Sequence, residues 1–105
     1  MGLRNFLNLS DIKLTDLKLI LEETSKTKVL RTNLPKGTMD AELVMKGLVA
    51  ALIFEKPSTR TRFSFDVGIQ QMGGKSIIVN GNDLHLGNSE SIPDTAKVIS
   101  RYVDL

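Results

Sequence analysis

The feature that most limits the fold is a succession of patterns between residues 48 and 80. Leu48-Val49-Ala50-Ala51-Leu52-Ile53-Phe54 is a short uncharged apolar run, which reads as a buried strand. It passes into a polar turn and then into a segment of about 59–72. There Phe65, Ile69 and Met72 recur at i, i+4 and i+7, a spacing that sets one helix face on a sheet. Gly73-Gly74 offers a left-handed stop to that helix. Lys75-Ser76-Ile77-Ile78-Val79-Asn80 is a second short strand, rich in β-branched residues. Strand, helix and strand in this order imply a parallel pair with a right-handed crossover. The expected fold class is therefore α/β, a parallel sheet flanked by helices.

The turn between the first strand and the helix carries the chemistry. It holds three hydroxyls (Ser58, Thr59, Thr61) and two guanidinium groups (Arg60, Arg62). The start of a helix leaves backbone N–H groups open and favours an anion. Hydroxyl donors, open N–H groups and a forked cation together suit a phosphate. The glycines and lysine of a Walker-type loop are missing, so the ligand need not be a nucleotide. Ser58 reads both as the helix cap and as a ligand. Arg62 lies deeper in the helix and reads as a structural ion-pair partner rather than a ligand.

The remaining chain reads as support. Ser10-Asp11 and Thr15-Asp16 are cap-like pairs. The second precedes a helix of roughly 15–31, with Leu17, Ile20, Leu21 and Thr24 as its core-facing stripe and Lys18, Glu22, Glu23 and Lys26 opposite. Lys26, Lys28, Arg31 and Lys36 gather near the helix end, where positive charge complements the dipole. Residues 32–45 contain Pro35 and Gly37 and read as a connection. Gly81 to Glu90 is a polar loop. Ser91-Ile92-Pro93-Asp94 has capping-box spacing and opens a helix to about Tyr102, striped by Ile92, Ala96, Ile99 and Val103. Val103-Asp104-Leu105 reads as the approach to a third strand.

Composition excludes several classes. At 105 residues the chain is at most one small domain, and a net charge of +2 is too small to argue for nucleic acid or an anionic membrane as partner. The absence of cysteine rules out disulfides and thiolate metal sites and fits a reducing compartment. One histidine, His85, cannot build a zinc site without several carboxylates, so no metal or cofactor is expected. No apolar run approaches the ~20 residues needed to span a bilayer, and no signal-peptide core is visible. A cytoplasmic protein is the expectation. A Ser58–His85–Asp94 triad has no elbow motif or spacing behind it and is rejected.

Phe54-Glu55-Lys56-Pro57-Ser58-Thr59-Arg60-Thr61-Arg62-Phe63-Ser64-Phe65 resembles the carbamoyl-phosphate motif of the transcarbamylase family. Lys56 and its Phe-Glu-Lys-Pro setting resemble the ornithine members more than the aspartate members. Asp83-Leu84-His85-Leu86-Gly87 with Glu90-Ser91 is similar to the family's mobile loop, and Asp94 to Arg101 to the helix after it. Phe6-Leu7-Asn8-Leu9 and the first helix are similar to the family's N-terminus. The resemblance covers essentially the whole chain.

The resemblance implies roles that the residues alone do not. Ser58, Thr59, Arg60 and Thr61 would bind the phosphate of carbamoyl phosphate. Arg60 and Thr61 would act in catalysis, Thr61 near the carbamoyl oxygen. His85 would reach a neighbouring subunit's site within a homotrimer or larger assembly of shared sites. The implied reaction carries the carbamoyl group to the side-chain amine of ornithine, giving citrulline and phosphate in arginine biosynthesis. Other family residues have no counterpart among the 105: a further arginine, a histidine and glutamine, and the amino-acid domain with its Ser-Met-Gly loop. Residues 1–105 are thus expected to form a partial carbamoyl-phosphate-binding domain, with the amino-acid-binding domain absent and little activity alone. Two alternatives stay open: a stand-alone phosphate-binding or interaction module, and a transcarbamylase for another amine, putrescine or aspartate.

Overall fold

The computed structural model describes residues 4–84 and 91–105. They fall into two compact units, Met1–Leu34 and Pro35–Leu105.

The first unit is a short 3-10 turn, Leu9–Asp11, followed by helix α1, Leu14–Leu30. Residues 14–30 contain neither Gly nor Pro and are rich in Leu, Lys and Glu, which favour the helical state. The cap position is Lys13, with no side-chain capping bond, and not the Thr15-Asp16 pair. Leu14 is already helical, so Asp16 instead sits in the first turn, where its charge opposes the dipole's positive end. The expected stripe is not a packed one: Ile20 is 50% and Leu21 60% exposed. Leu14, Leu19, Val29 and Leu30 are exposed as well, so apolar surface spreads around the helix rather than along one line. Lys28 lies in the last turn, as the dipole favours.

The second unit contains strand β1 (Val49–Phe54), helix α2 (Thr59–Gln71), strand β2 (Lys75–Asn80) and helix α3 (Ile92–Ile99). β1 and β2 pair in parallel, from Val49 opposite Lys75 to Phe54 opposite Asn80. The fold class is α/β, with helices on both faces of the sheet. Alternation along β1 explains the two faces. Ala50 and Leu52 point to the side where Ile69 of α2 closes a core with Met45, Leu48 and Met72. Ala51 and Ile53 point the other way and line an apolar cleft of about 210 Å³ with Ala96, Ile99 and Val103.

Gly73 ends α2 at φ +86°, a conformation an L side chain resists. Gly74 then brings the chain against Ile69 and Met45 closely enough that a Cβ would sit 2.9 Å from Ile69 Cγ2. Residues 35–48 are sewn to the end of α2: Asp40 N–H donates to Gln71 O (2.8 Å) and Met45 N–H to Met72 O (3.0 Å).

Three further expectations need correction. Phe65 does not join Ile69 and Met72 on the sheet; it is 57% exposed. The neighbouring Asp66 takes the sheet-facing position, where it accepts a hydrogen bond from Ser76 Oγ of β2, and the 100° step of the helix turns Phe65 outward. Helix α3 ends at Ile99 rather than near Tyr102. Arg101 N–H and Tyr102 N–H bond three residues back, to Val98 O and Ile99 O, and this tighter turn redirects the chain toward β1. There Leu105 N–H donates to Val49 O (3.2 Å) and Ala51 N–H to Leu105 O (2.9 Å), the pattern of a parallel ladder. Ile92, at the start of the expected α3 stripe, is exposed.

Candidate functional site

In a parallel sheet, ligands favour the carboxyl ends of the strands, and the turn after β1 lies at such an end. Phe54 closes the strand, 55–58 form the turn, and Thr59 opens α2. The first helical bond formed by this turn is Arg62 N–H to Ser58 O, 2.9 Å. The N–H groups of Thr59, Arg60 and Thr61 precede it, as orphan donors of the first turn. Ser58 occupies the cap position, yet its hydroxyl accepts no N–H from the helix. Its two readings therefore separate: it stands at the cap by position, and its side chain is left for other partners.

Thr59, Arg60 and Thr61 are exposed, and Ser58 is half-buried. The first turn of α2 carries no acidic side chain, so nothing there opposes an incoming anion. Among the described residues no carboxylate forms a salt bridge with Arg60. The turn is supported from below by Gly81, which is buried against it; a Cβ there would lie 3.3 Å from Glu55 Cγ and 3.6 Å from Phe54 O.

Arg62 plays a structural part, but with a different partner from the one expected. Its guanidinium carbon lies 6.0 Å from the centroid of the Phe54 ring, a cation–π distance, instead of in a salt bridge with a carboxylate. Asp66, one turn further on, escapes sequence reasoning altogether. Its carboxylate accepts from Ser76 Oγ and from Gln70 Nε2 (3.0 Å). The Ser76 bond first and then the Gln70 bond hold its pKa below the ordinary aspartate value; burial opposes them, and the Arg62 charge adds the smallest effect. The i, i+4 spacings of Arg62, Asp66 and Gln70 were the available signal; the partner across the sheet, Ser76, had none.

His85 lies outside the described residues, as do the other residues of 85–90. At the edge of that segment, Ser91 caps α3 as its spacing predicts, accepting from Asp94 N–H at 3.2 Å. Among the described residues no group of three or more His, Asp or Glu side chains converges as a metal site. No helix of the described residues is long and apolar enough to cross a membrane.

Residues 4–105 match the family model for the carbamoyl-P binding domain of aspartate/ornithine carbamoyltransferase. The chain belongs to the aspartate/ornithine carbamoyltransferase family. It is 48% identical over 103 residues to an ornithine carbamoyltransferase of Paracoccus denitrificans, covering 98% of this chain and 33% of that protein. Among solved structures, it superposes on an ornithine carbamoyltransferase from Pyrococcus furiosus with TM-score 0.81 and 40% identity, over 96% of this chain and 31% of that one. The catalytic subunit of an aspartate transcarbamoylase from M. jannaschii is similar too, with TM-score 0.70 and 29% identity over 93% and 31% of the two chains. The chain thus spans about a third of the length of the relatives it matches.

Proposed function

We propose that this chain supplies the carbamoyl-phosphate half of a carbamoyltransferase site whose acceptor is ornithine, releasing citrulline and phosphate in arginine biosynthesis. One observation carries the reading. The start of α2 gathers three first-turn N–H groups, the uncommitted Ser58 hydroxyl, Thr59, Thr61 and the exposed Arg60 at the carboxyl end of β1.

Ser58, Thr59 and the N–H groups hold the phosphate oxygens. Arg60 grips them with a two-pronged guanidinium, which a lysine cannot do. The acceptor amine attacks the carbonyl carbon, and charge grows on the carbonyl oxygen, toward which Thr61 donates. The C–O bond to phosphate then breaks, its electron pair leaves with the phosphate beside Arg60, and the phosphate takes the proton that the amine sheds. Each donor acts where charge develops, which is how fixed dipoles lower a barrier. Positioning and electrostatics suffice for such a transfer, and no nucleophilic side chain is needed.

Ornithine is preferred to aspartate as acceptor because the likeness is greater to the proteins named for ornithine, 40% against 29% identity in the two solved structures compared. The proposal extends to a cytoplasmic homotrimer, with His85 contributing to a neighbouring subunit's site. Mixed assemblies of His85→Ala and Arg60→Ala chains, in an assembly-competent protein, should then regain citrulline formation; none regained means sites are not shared.

Arg60→Ala tests the half-site. Loss of a charged hydrogen-bonding partner costs roughly 1.5–3 kcal/mol, so carbamoyl phosphate should bind this variant at least about tenfold more weakly by calorimetric titration. Equal affinity in the two proteins refutes the site. A second reading is phosphate binding without transfer, which the same turn supports because the donors gathered there address an anion alone. Carbamoyl-phosphate binding with no citrulline formed by the 105-residue chain would favour it for this chain.

A further inference from the structure

The candidate site depends on the direction in which α2 points, and the helix is held to the sheet by two different kinds of contact. Near its C-terminal half, Ile69 is 6% exposed and packs with Ala50 and Met45. Nearer the site, the hold is polar: Asp66 accepts from Ser76 Oγ on β2 and from Gln70 Nε2 on its own helix. Ser76 is the register partner of Ala50, so the polar tie falls on the same rung as the core. One turn toward the site from Asp66, Arg62 lies over Phe54 at the end of β1. Two separate ties, Asp66 to Ser76 on β2 and Arg62 to Phe54 at the end of β1, therefore hold the site half of α2 to the sheet.

We propose that Asp66 is a positioning residue for the phosphate turn: tied to Ser76 on β2, it fixes the direction of the first turn of α2 and so of Arg60 and Thr61. The inference rests on the half-site reading given above. Its size follows from leverage. Arg60 lies nine residues from Ile69, roughly 13 Å along the helix axis. Without the polar tie α2 can pivot on Ile69, and a tilt of about 5° carries the first turn roughly 1 Å. A displacement of about 1 Å in a positioned group can cost up to 10²-fold. A purely apolar hold does not resist this pivot, since hydrophobic contact is non-directional, whereas a hydrogen bond to a carboxylate is directional.

The test uses the 105-residue chain, carbamoyl phosphate and inorganic phosphate as probes, and the variants Asp66→Asn, Ser76→Ala, Ser76→Thr and Ile69→Val. Asp66→Asn and Ser76→Ala are expected to weaken both probes about tenfold or more, and Ser76→Thr, which keeps the hydroxyl, to restore binding. Ile69→Val lowers the melting temperature but should leave affinity unchanged, which separates aim from stability. Wild-type affinity in Asp66→Asn and Ser76→Ala overturns the proposal. If the wild-type chain binds neither probe, the half-site reading fails by itself, and a ligand-free measurement decides the positioning. The backbone amide resonances of Thr59, Arg60 and Thr61 should move as Asp66 is protonated, and should cease to do so in Asp66→Asn. Amides that ignore that titration in the wild-type chain overturn it.

Discussion

Two glycine-to-alanine substitutions, six residues apart, should change stability in opposite directions. Gly68 lies inside α2, and a Cβ added there meets nothing within 4 Å. Alanine in a helix interior is favoured over glycine by roughly 0.5–1 kcal/mol, so Gly68→Ala should stabilise by that amount. Gly74 lies just past the helix, at a φ that is not in the left-handed region, so alanine meets no backbone penalty there. Its Cβ, however, would sit 2.9 Å from Ile69 Cγ2 and 3.1 Å from Met45 Cβ. Both atoms lie close to their own backbones and neither is the free end of a long side chain. Ile69 and Met45 are both buried residues of the core, so yielding there disturbs its centre. Overpacking costs about 1–3 kcal/mol, set against roughly 0.4–1 kcal/mol from the stiffer unfolded chain. Gly74→Ala should thus destabilise by roughly 1–2 kcal/mol. For a unit of this size each kcal/mol moves the melting temperature about 4–8 °C. Thermal unfolding followed by far-UV circular dichroism should show Gly68→Ala melting above the wild type and Gly74→Ala below it. A Gly74→Ala chain that melts at or above the wild type refutes the packing argument.

Ser91→Ala removes the oxygen that accepts Asp94 N–H at the start of α3; a lost cap costs about 1 kcal/mol, and hydrogen exchange at the amides of 94–96 should quicken, whereas unchanged exchange shows the cap to be idle. Asp66 has a depressed pKa, so the carboxylate's contribution is present above the ordinary aspartate value of about 3.9 and is lost as pH falls through its lower folded value. Urea midpoints of the wild type and Asp66→Asn should therefore differ at pH 7 and converge well below pH 4; a gap that persists at low pH shows that the carboxylate's charge is not its source.

How much of this was legible in the sequence follows from the range of each cause. The span of β2, the parallel pairing and the left-handed Gly73 come from local patterns and from a topological rule, and they stand as expected. The strand and helix around the phosphate turn differ from expectation by one residue at an end. Ser58, Thr59, Arg60 and Thr61 are contiguous, so finding the helix start was enough to gather them. What the sequence could not convey is how far α2 is rotated about its axis. That rotation sends Phe65 outward and Asp66 inward, and it depends on Ser76, a residue ten positions away with no pattern linking the two. The solvent-exposed apolar side chains of α1 and the early end of α3 have the same origin. Periodicity reports which residues could share a face, and says nothing about what the face meets.

Val49 gives the sheet a temporal order as well as a spatial one. Its carbonyl accepts from Asp104 and Leu105, and its N–H donates to the Asp104 carboxylate across a separation of 55 residues. On a ribosome moving at about 5–20 residues per second, that backbone would wait roughly 3–11 s for its partners to be made. During that interval the first strand has an apolar, unpaired flank, which is the condition under which nascent chains engage chaperones or one another.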